Sequence, residues 1–180
     1  MKVTALLALL LAPTAQAAYP FTLDEAIARF SVDQAANCDF ESDYEGAKAQ
    51  RLENSTFTLA TVGEKQVQVF DIWCMQGAYN VNSVFYLADE FGGLRAVQFA
   101  SPVLNEKNKV IGFTTESWLT NASFNSANNE LSFYAKGRGM GDCFAAGTYK
   151  LVDGNFTLKQ YLLDATCDGK QNPKKIVDYK

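Results

Sequence analysis

The sequence contains no histidine. This absence excludes the Ser-His-Asp triad, the Cys-His pair and every metal site that uses imidazole ligands. It also removes the side chain that most often acts as a general base near neutral pH. Carboxylates, lysines, tyrosines and hydroxyl groups are the remaining candidates for catalysis. We therefore predict no catalytic residue, no metal site and no cofactor.

The hydrophobic run at the N-terminus is short. Val3–Ala12 is almost entirely apolar, but about ten residues are too few to cross a bilayer core of ~30 Å as a helix. Lys2 precedes this run and Ala15-Gln16-Ala17 follows it, which is the arrangement of a secretory signal and its cleavage site. We predict a signal peptide over residues 1–17 and no transmembrane segment after its cleavage. The protein is then periplasmic or secreted.

The four cysteines include no Cys-x-x-Cys pair, which argues against a zinc site made of cysteines. Export places them in an oxidising compartment, where disulfides persist. Four cysteines allow three pairings. We favour Cys38–Cys74 and Cys143–Cys167, because each disulfide then staples one half of the chain.

No stretch rich in proline, glycine or serine divides the chain, which favours one disulfide-stapled domain over residues 18–180. The formal net charge of −4 argues against a nucleic-acid partner, which requires a basic surface. Lys170, Lys174 and Lys175 form a basic cluster near the end, which we interpret as a solvated tail. An envelope protein or a glycan is the partner that we expect.

The pattern of hydrophobic residues predicts a mainly β fold with a short N-terminal helix. Thr22 and Glu25 have the spacing of a capping box, followed by apolar residues at helical spacing over residues 23–30. Alternating runs and turn residues then predict antiparallel sheets in a sandwich or barrel. Asp153-Gly154 marks the clearest hairpin. The predicted strands cover residues 57–62, 67–74, 84–88, 94–100, 110–115, 118–124, 131–136, 148–152 and 156–163.

A cysteine-centred spacing occurs twice. Gly77 and Tyr79 follow Cys74, and a glycine and a tyrosine follow Cys143 as Gly147 and Tyr149. Each copy leads into β-like segments separated by a glycine turn. The repetition suggests two related halves, at about residues 38–105 and 106–170.

The segment Gly137–Cys143 has three alternate glycines, which suit a tight turn or a close approach of backbone to a ligand. Backbone N–H groups in such a loop can bind an anion, and the guanidinium of Arg138 can clamp one. We therefore name Arg138, Gly139, Gly141 and Asp142 as candidate binding residues. The alternative is that Arg138 pairs with Asp142 and holds the loop shut.

Two other groups of residues suggest functions that need a cleft. Acidic residues cluster as Glu41 with Asp43, Asp89 with Glu90, and Asp164 with Asp168, and a glycosidase needs two facing carboxylates. The aromatic residues of the strands are candidates for a sugar platform, although aromatic side chains on strands more often form the core. These residues are Trp73, Tyr79, Phe85, Tyr86, Trp118, Tyr134, Tyr149 and Tyr161.

Three short motifs carry a resemblance to a known family. They are Trp73-Cys74-x-x-Gly77-Ala78-Tyr79-Asn80, Gly137-Arg138-Gly139-x-Gly141-Asp142-Cys143 and Asp164-x-x-Cys167-Asp168-Gly169. Together they resemble the bacterial envelope proteins grouped as domain of unknown function 1176, from about Cys38 to Asp168. The resemblance implies export and four cysteines. It implies no activity, so it assigns no catalytic residue.

The function that these observations favour is that of an exported, non-enzymatic binding or inhibitor-type protein of the bacterial envelope. One alternative is a carboxylate-dependent hydrolase of cell-wall or extracellular glycan. Another is a structural component of the envelope. A concave cleft with two close carboxylates favours the hydrolase, and a protruding glycine loop favours binding.

Overall fold

The computed structural model describes residues 21–34, 38, 47–89 and 93–179. This part of the chain is mainly β, with antiparallel sheets and a short helix near the N-terminus, which confirms the predicted fold class. The predicted signal peptide and the acidic residues Glu41, Asp43 and Glu90 lie outside the described residues.

Helix α1 (Leu23–Asp33) begins at the predicted capping box. Thr22 Oγ1 accepts a hydrogen bond from the Glu25 backbone N–H at 3.3 Å, and a Glu25 carboxylate oxygen accepts one from the Thr22 N–H at 2.7 Å. These two bonds satisfy N–H groups that the helix itself leaves without acceptors. One face of α1 is buried through Ala26, Ile27 and Phe30. A second helix, α2, spans Ala47–Asn54.

Twelve strands follow within the described residues. They are β1 (Thr56–Val62), β2 (Lys65–Gln76), β3 (Val81–Asp89), β4 (Arg95–Ala96), β5 (Phe99–Leu104), β6 (Val110–Glu116), β7 (Trp118–Thr120), β8 (Ser123–Asn125), β9 (Glu130–Lys136), β10 (Phe144–Val152), β11 (Asn155–Asp164) and β12 (Lys174–Asp178). In the same residues, the first sheet has the order β1-β2-β3-β4 with β7 also paired to β3. The second sheet has the order β12-β11-β10-β9-β8, and β5 and β6 form a separate ribbon.

The two sheets pack face to face around a shared hydrophobic core. Phe99 of the ribbon lies between them, with its ring centroid 5.8 Å from that of Phe85 on β3 and 5.1 Å from that of Tyr149 on β10. The Tyr149 hydroxyl donates a hydrogen bond to the Ala100 carbonyl at 3.1 Å, so this buried polar group has a partner. Helix α1 covers the opposite face of the first sheet.

The predicted hairpin at Asp153-Gly154 is present between β10 and β11. Asp153 has φ 49° and Gly154 has φ 74°, and two central residues with positive φ match the right-handed twist of the flanking strands. The disulfides join Cys38 to Cys74 and Cys143 to Cys167, which is the pairing that the sequence favours. The second disulfide ties the segment before β10 to the segment after β11.

The single strand predicted over residues 118–124 is wrong, because the chain changes sheets within it. β7 pairs with β3 of the first sheet, whereas β8 pairs with β9 of the second. Asn121 separates them with φ 46°. Its side-chain oxygen accepts a hydrogen bond from the Val81 N–H at 2.8 Å, which helps to hold this left-handed conformation.

The repeated cysteine spacing does not mark equivalent structures. Gly77 and Tyr79 lie in the turn between β2 and β3, whereas Gly147 and Tyr149 lie within β10. Tyr79 is 41% exposed, but Tyr149 is 2% exposed in the core. The spacing therefore gives no support for two related halves, which stay a prediction.

Two segments predicted to lack strand structure contain it. One predicted strand ends at residue 100, but β5 extends to Leu104 and pairs there with Val110. The tail that carries Lys174 and Lys175 forms β12, which adds to the edge of β11. The β12 backbone gains ladder hydrogen bonds there, and Ile176 and Val177 pack against the core.

Candidate functional site

The Gly137–Cys143 segment forms a closed loop between β9 and β10. The Gly137 N–H donates to the Cys143 carbonyl at 2.9 Å, and the Gly141 N–H donates to the Arg138 carbonyl at 2.9 Å. Gly141 has φ +68°, which glycine adopts at little cost. A Cβ atom on Gly137 would lie 2.9 Å from Cys143 Sγ, so the disulfide leaves no room for a larger residue.

Arg138 and Asp142 form a bidentate ion pair inside this loop. Arg138 Nε lies 2.7 Å from Asp142 Oδ1, and Arg138 Nη2 contacts Oδ2. Nη2 also donates to the Cys167 carbonyl at 3.0 Å, and the Gly169 N–H donates to Asp142 Oδ2 at 2.7 Å. Asp142 is 4% exposed. The pair thus holds the loop shut and fastens it to the segment after β11.

Hydrogen bonding fixes the charge state of this pair. The hydrogen bond from Arg138 is the main cause that lowers the pKa of Asp142, and the Gly169 N–H lowers it further. The same contact with Asp142 raises the pKa of Arg138. Both groups are therefore ionised at neutral pH, and each stabilises the charged form of the other.

The motif after Cys74 packs onto the loop. The Tyr79 hydroxyl donates to the Gly137 carbonyl at 3.4 Å. The Tyr79 ring lies against Gly139, 3.7 Å from where a Cβ atom would be. Asn80 donates to the Lys136 carbonyl at 2.8 Å and accepts from the Lys136 N–H at 3.2 Å. The Asn80 amide therefore pairs with the end of β9 as a backbone peptide group does.

Asn121 completes the contact between the sheets, a role that no sequence pattern predicts. Its side-chain nitrogen donates to the Asn80 side-chain oxygen and to the Tyr134 carbonyl, both at 3.0 Å. Its side-chain oxygen accepts from the Val81 N–H. One amide side chain thus joins β3, β9 and the turn before β3.

The third motif supports the loop from the side. Asp164 is 4% exposed, and its carboxylate accepts from the Thr166 N–H and hydroxyl at 3.1 and 2.8 Å and from the Asn172 N–H at 2.6 Å. The Asn172 N–H is the main cause that lowers the pKa of Asp164. The Gln171 side chain donates to the Gly141 carbonyl at 2.9 Å.

The structure brings the four predicted binding residues together, but they differ in what they expose. Asp142 is buried and bonded within the loop, whereas the Arg138 side chain is 43% exposed. Met140, between Gly139 and Gly141, is 74% exposed at the tip. Sequence reasoning did not single out Met140, because a lone methionine between glycines has no distinctive spacing.

Among the described carboxylates at this loop, Asp142 and Asp164 do not have the properties of a glycosidase pair. Asp142 lies near enough to Asp164 to raise its pKa slightly, but the pKa of each group is lowered overall. A glycosidase acid requires a raised pKa so that it is protonated at the working pH. Among the described residues, Asp71 has such a shift: burial raises its pKa to about 6. Asp71 lies in the middle of β2, away from this loop.

Four of the eight aromatic residues suggested for a sugar platform are buried in the core. Phe85, Tyr86, Tyr149 and Tyr161 are between 0% and 5% exposed. Tyr79 lies at the candidate site and is 41% exposed.

Comparison with known proteins places the chain in a family. A 104-residue segment is 32% identical to "Uncharacterized protein YpfG" of Escherichia coli (strain K12). The matched segment makes up 57% of this chain and 28% of the length of that relative. No solved structure matches the chain. The helices in the described residues are too short or too polar to cross a membrane. The family model described as "Protein of unknown function (DUF1176)" matches residues 2–179, and the chain therefore belongs to this family.

Proposed function

We propose that this protein is an exported, non-enzymatic binding protein of the bacterial envelope. Its contact surface is the loop face, which we define as Tyr79, Arg138, Gly139 and Met140. Export is supported by the signal-like residues 1–17 and by two disulfides, which persist in oxidising compartments.

The observation that carries this proposal is an exposed apolar tip on an immobilised loop. Met140 is 74% exposed, yet the loop around it is fixed by the Arg138–Asp142 pair, the Cys143–Cys167 disulfide and the Tyr79 hydroxyl. A loop that is already ordered loses little conformational entropy on binding. Burial of an exposed methionine side chain by a partner removes apolar surface from water, which favours binding.

The chemistry of the loop face indicates a protein partner with an apolar pocket beside an acidic group. Met140 and the Tyr79 ring supply apolar contact area, and the exposed edge of Arg138 supplies positive charge. Protruding loops of this kind insert into clefts, as inhibitor loops do. The protein therefore acts by occupying a site on an envelope protein.

Capture from envelope extract by immobilised protein tests the proposal. Met140→Asp places a charge at the tip, and we expect it to abolish capture without changing the melting temperature. Val32→Asp is the matched control, because Val32 is an exposed apolar residue of α1, 79% exposed. We expect this control to capture the same partner as the unchanged protein. Equal capture by both variants, or retention on purified peptidoglycan that Met140→Asp leaves unchanged, would contradict the proposal.

A further inference from the structure

A second surface feature lies apart from the loop face. The turn between β5 and β6 faces the end of β11 and the start of β12 across a cavity of about 320 Å³. Ligand sites in proteins typically occupy about 300–1,000 Å³, so this cavity suits a small molecule. The residues that line this cavity include Lys107, Lys109, Val110, Asp164, Lys174 and Ile176.

Backbone hydrogen bonds fix the wall formed by the turn. The Asn105 side-chain oxygen accepts from the N–H groups of Lys107 and Lys109, both at 3.0 Å. The Asn105 N–H also donates to the Lys109 carbonyl at 2.9 Å. The turn therefore keeps its shape without using the lysine side chains. In the part of the chain that the structure describes, neither ammonium group forms an ion pair.

The opposite wall adds a third lysine and one carboxylate. Lys174 pairs with Leu163 in the β11–β12 ladder, which places it at the cavity. Asp164 also lines the cavity, but both of its oxygens accept hydrogen bonds from Thr166 and Asn172 of the same wall. Among the described residues, Asp164 and Lys174 do not pair. Three cations and one anion thus border the cavity.

We propose that this cavity binds a small organic anion, in which one phosphate or carboxylate group is attached to an apolar body. The lysine ammonium groups bind the anionic group, because charge-assisted hydrogen bonds from lysine suit phosphate and carboxylate oxygens. Val110 and Ile176 contact the apolar body. The three lysines gather at this cavity although the chain carries a formal net charge of −4. This site is independent of the loop face.

Titration with octyl phosphate below its critical micelle concentration tests the proposal, with binding followed by calorimetry and by shifts of backbone amide NMR signals. We expect saturable binding with shifts at residues 107–110, at residue 172 and at residues 174–176. Inorganic phosphate should bind more weakly because it lacks the apolar body, and octyl glucoside should bind more weakly because it lacks the charge. If octyl phosphate bound no more tightly than either of the other two probes, the proposal would be overturned.

Lysine variants test the same proposal a second way. Each charge-assisted hydrogen bond contributes enough that its loss should weaken octyl phosphate binding about tenfold. We expect this loss or more for Lys107→Gln with Lys109→Gln, and separately for Lys174→Gln. The control, Lys159→Gln with Lys170→Gln, removes the same charge outside the cavity and should leave affinity within about twofold. An equal loss of affinity in the control would show a general attraction of octyl phosphate to positive surface charge, and it would overturn the proposed site.

Discussion

The Tyr79 hydroxyl donates a hydrogen bond to the Gly137 carbonyl at 3.4 Å. Tyr79 lies in the turn between β2 and β3 of the first sheet, whereas Gly137 begins the loop between two strands of the second. The contact therefore joins the two sheets at the candidate site. Any change that loosens the loop is expected to affect the packing of the sheets as well.

Replacing Arg138 with alanine should lower the melting temperature. The change leaves the buried Asp142 carboxylate without its bidentate partner, and an unpaired buried charge is unfavourable. Thermal unfolding followed by circular dichroism measures the effect. Arg29→Ala is the control, because Arg29 also pairs with an aspartate four residues away but is 58% exposed on α1. A shift for Arg138→Ala no larger than that for Arg29→Ala would contradict the structural role of the pair.

Stability should fall in acid partly because of Asp142. Its pKa is lowered in the folded state, so its contribution is fully present above the unfolded value of about 4 and is lost as the pH falls further. Urea unfolding at pH 7, 4 and 3 measures this loss. Asp142→Asn does not titrate and should show a smaller loss between pH 4 and 3. Parallel pH profiles for the two proteins would show that Asp142 does not contribute.

Asp71→Asn should stabilise the protein at pH 7. Burial raises the folded-state pKa of Asp71 to about 6, above the unfolded value of about 3.9. The ionised form is therefore unfavourable in the fold, and the penalty grows as the pH rises from about 4 to 6. Removing the charge should add on the order of 2 kcal/mol to the free energy of unfolding at pH 7. At pH 4 the two proteins should differ little, and an equal difference at both pH values would refute the assignment.

Gly147→Ala should destabilise the protein, because β10 and β11 leave no space for a methyl group there. A Cβ atom would overlap the Gln160 carbonyl oxygen and lie 2.8 Å from the Phe133 ring. Overpacking of this kind costs about 1–3 kcal/mol. Gly112→Ala on β6 is the control, since no atom lies within 4 Å of its Cβ position. Its free energy of unfolding should change by less than about 0.5 kcal/mol.

The features that the sequence predicted well depend on neighbouring residues. The Thr22–Glu25 capping box and the Asp153-Gly154 turn are set by hydrogen bonds and φ angles within four residues. The pairing of β12 with β11 depends on residues far along the chain, and the exposed lysines of β12 concealed its strand character. Local patterns carry little information about such pairings.

The sequence predicts the part of the candidate site that depends on neighbouring residues. Three alternate glycines marked the loop, and an arginine four residues before an aspartate suggested the pair that the structure contains. The role of Asn121 depends on contacts with residues 13 to 41 positions away, which the sequence order does not reveal. The exposure of Met140 likewise depends on how the second sheet presents the loop.

The position of β7 determines when the first sheet becomes complete during folding. β4 pairs with Tyr86 and Leu87 on β3, whereas Asn82–Val84 on the same strand pair with β7. This part of β3 pairs with β2 on one side. Its other side is covered only when β7, which ends at Thr120, has docked. Until then an incomplete strand edge is open to other chains, and closure over such a sequence distance is slow. This edge of β3 is therefore protected from pairing with other chains once β7 has docked.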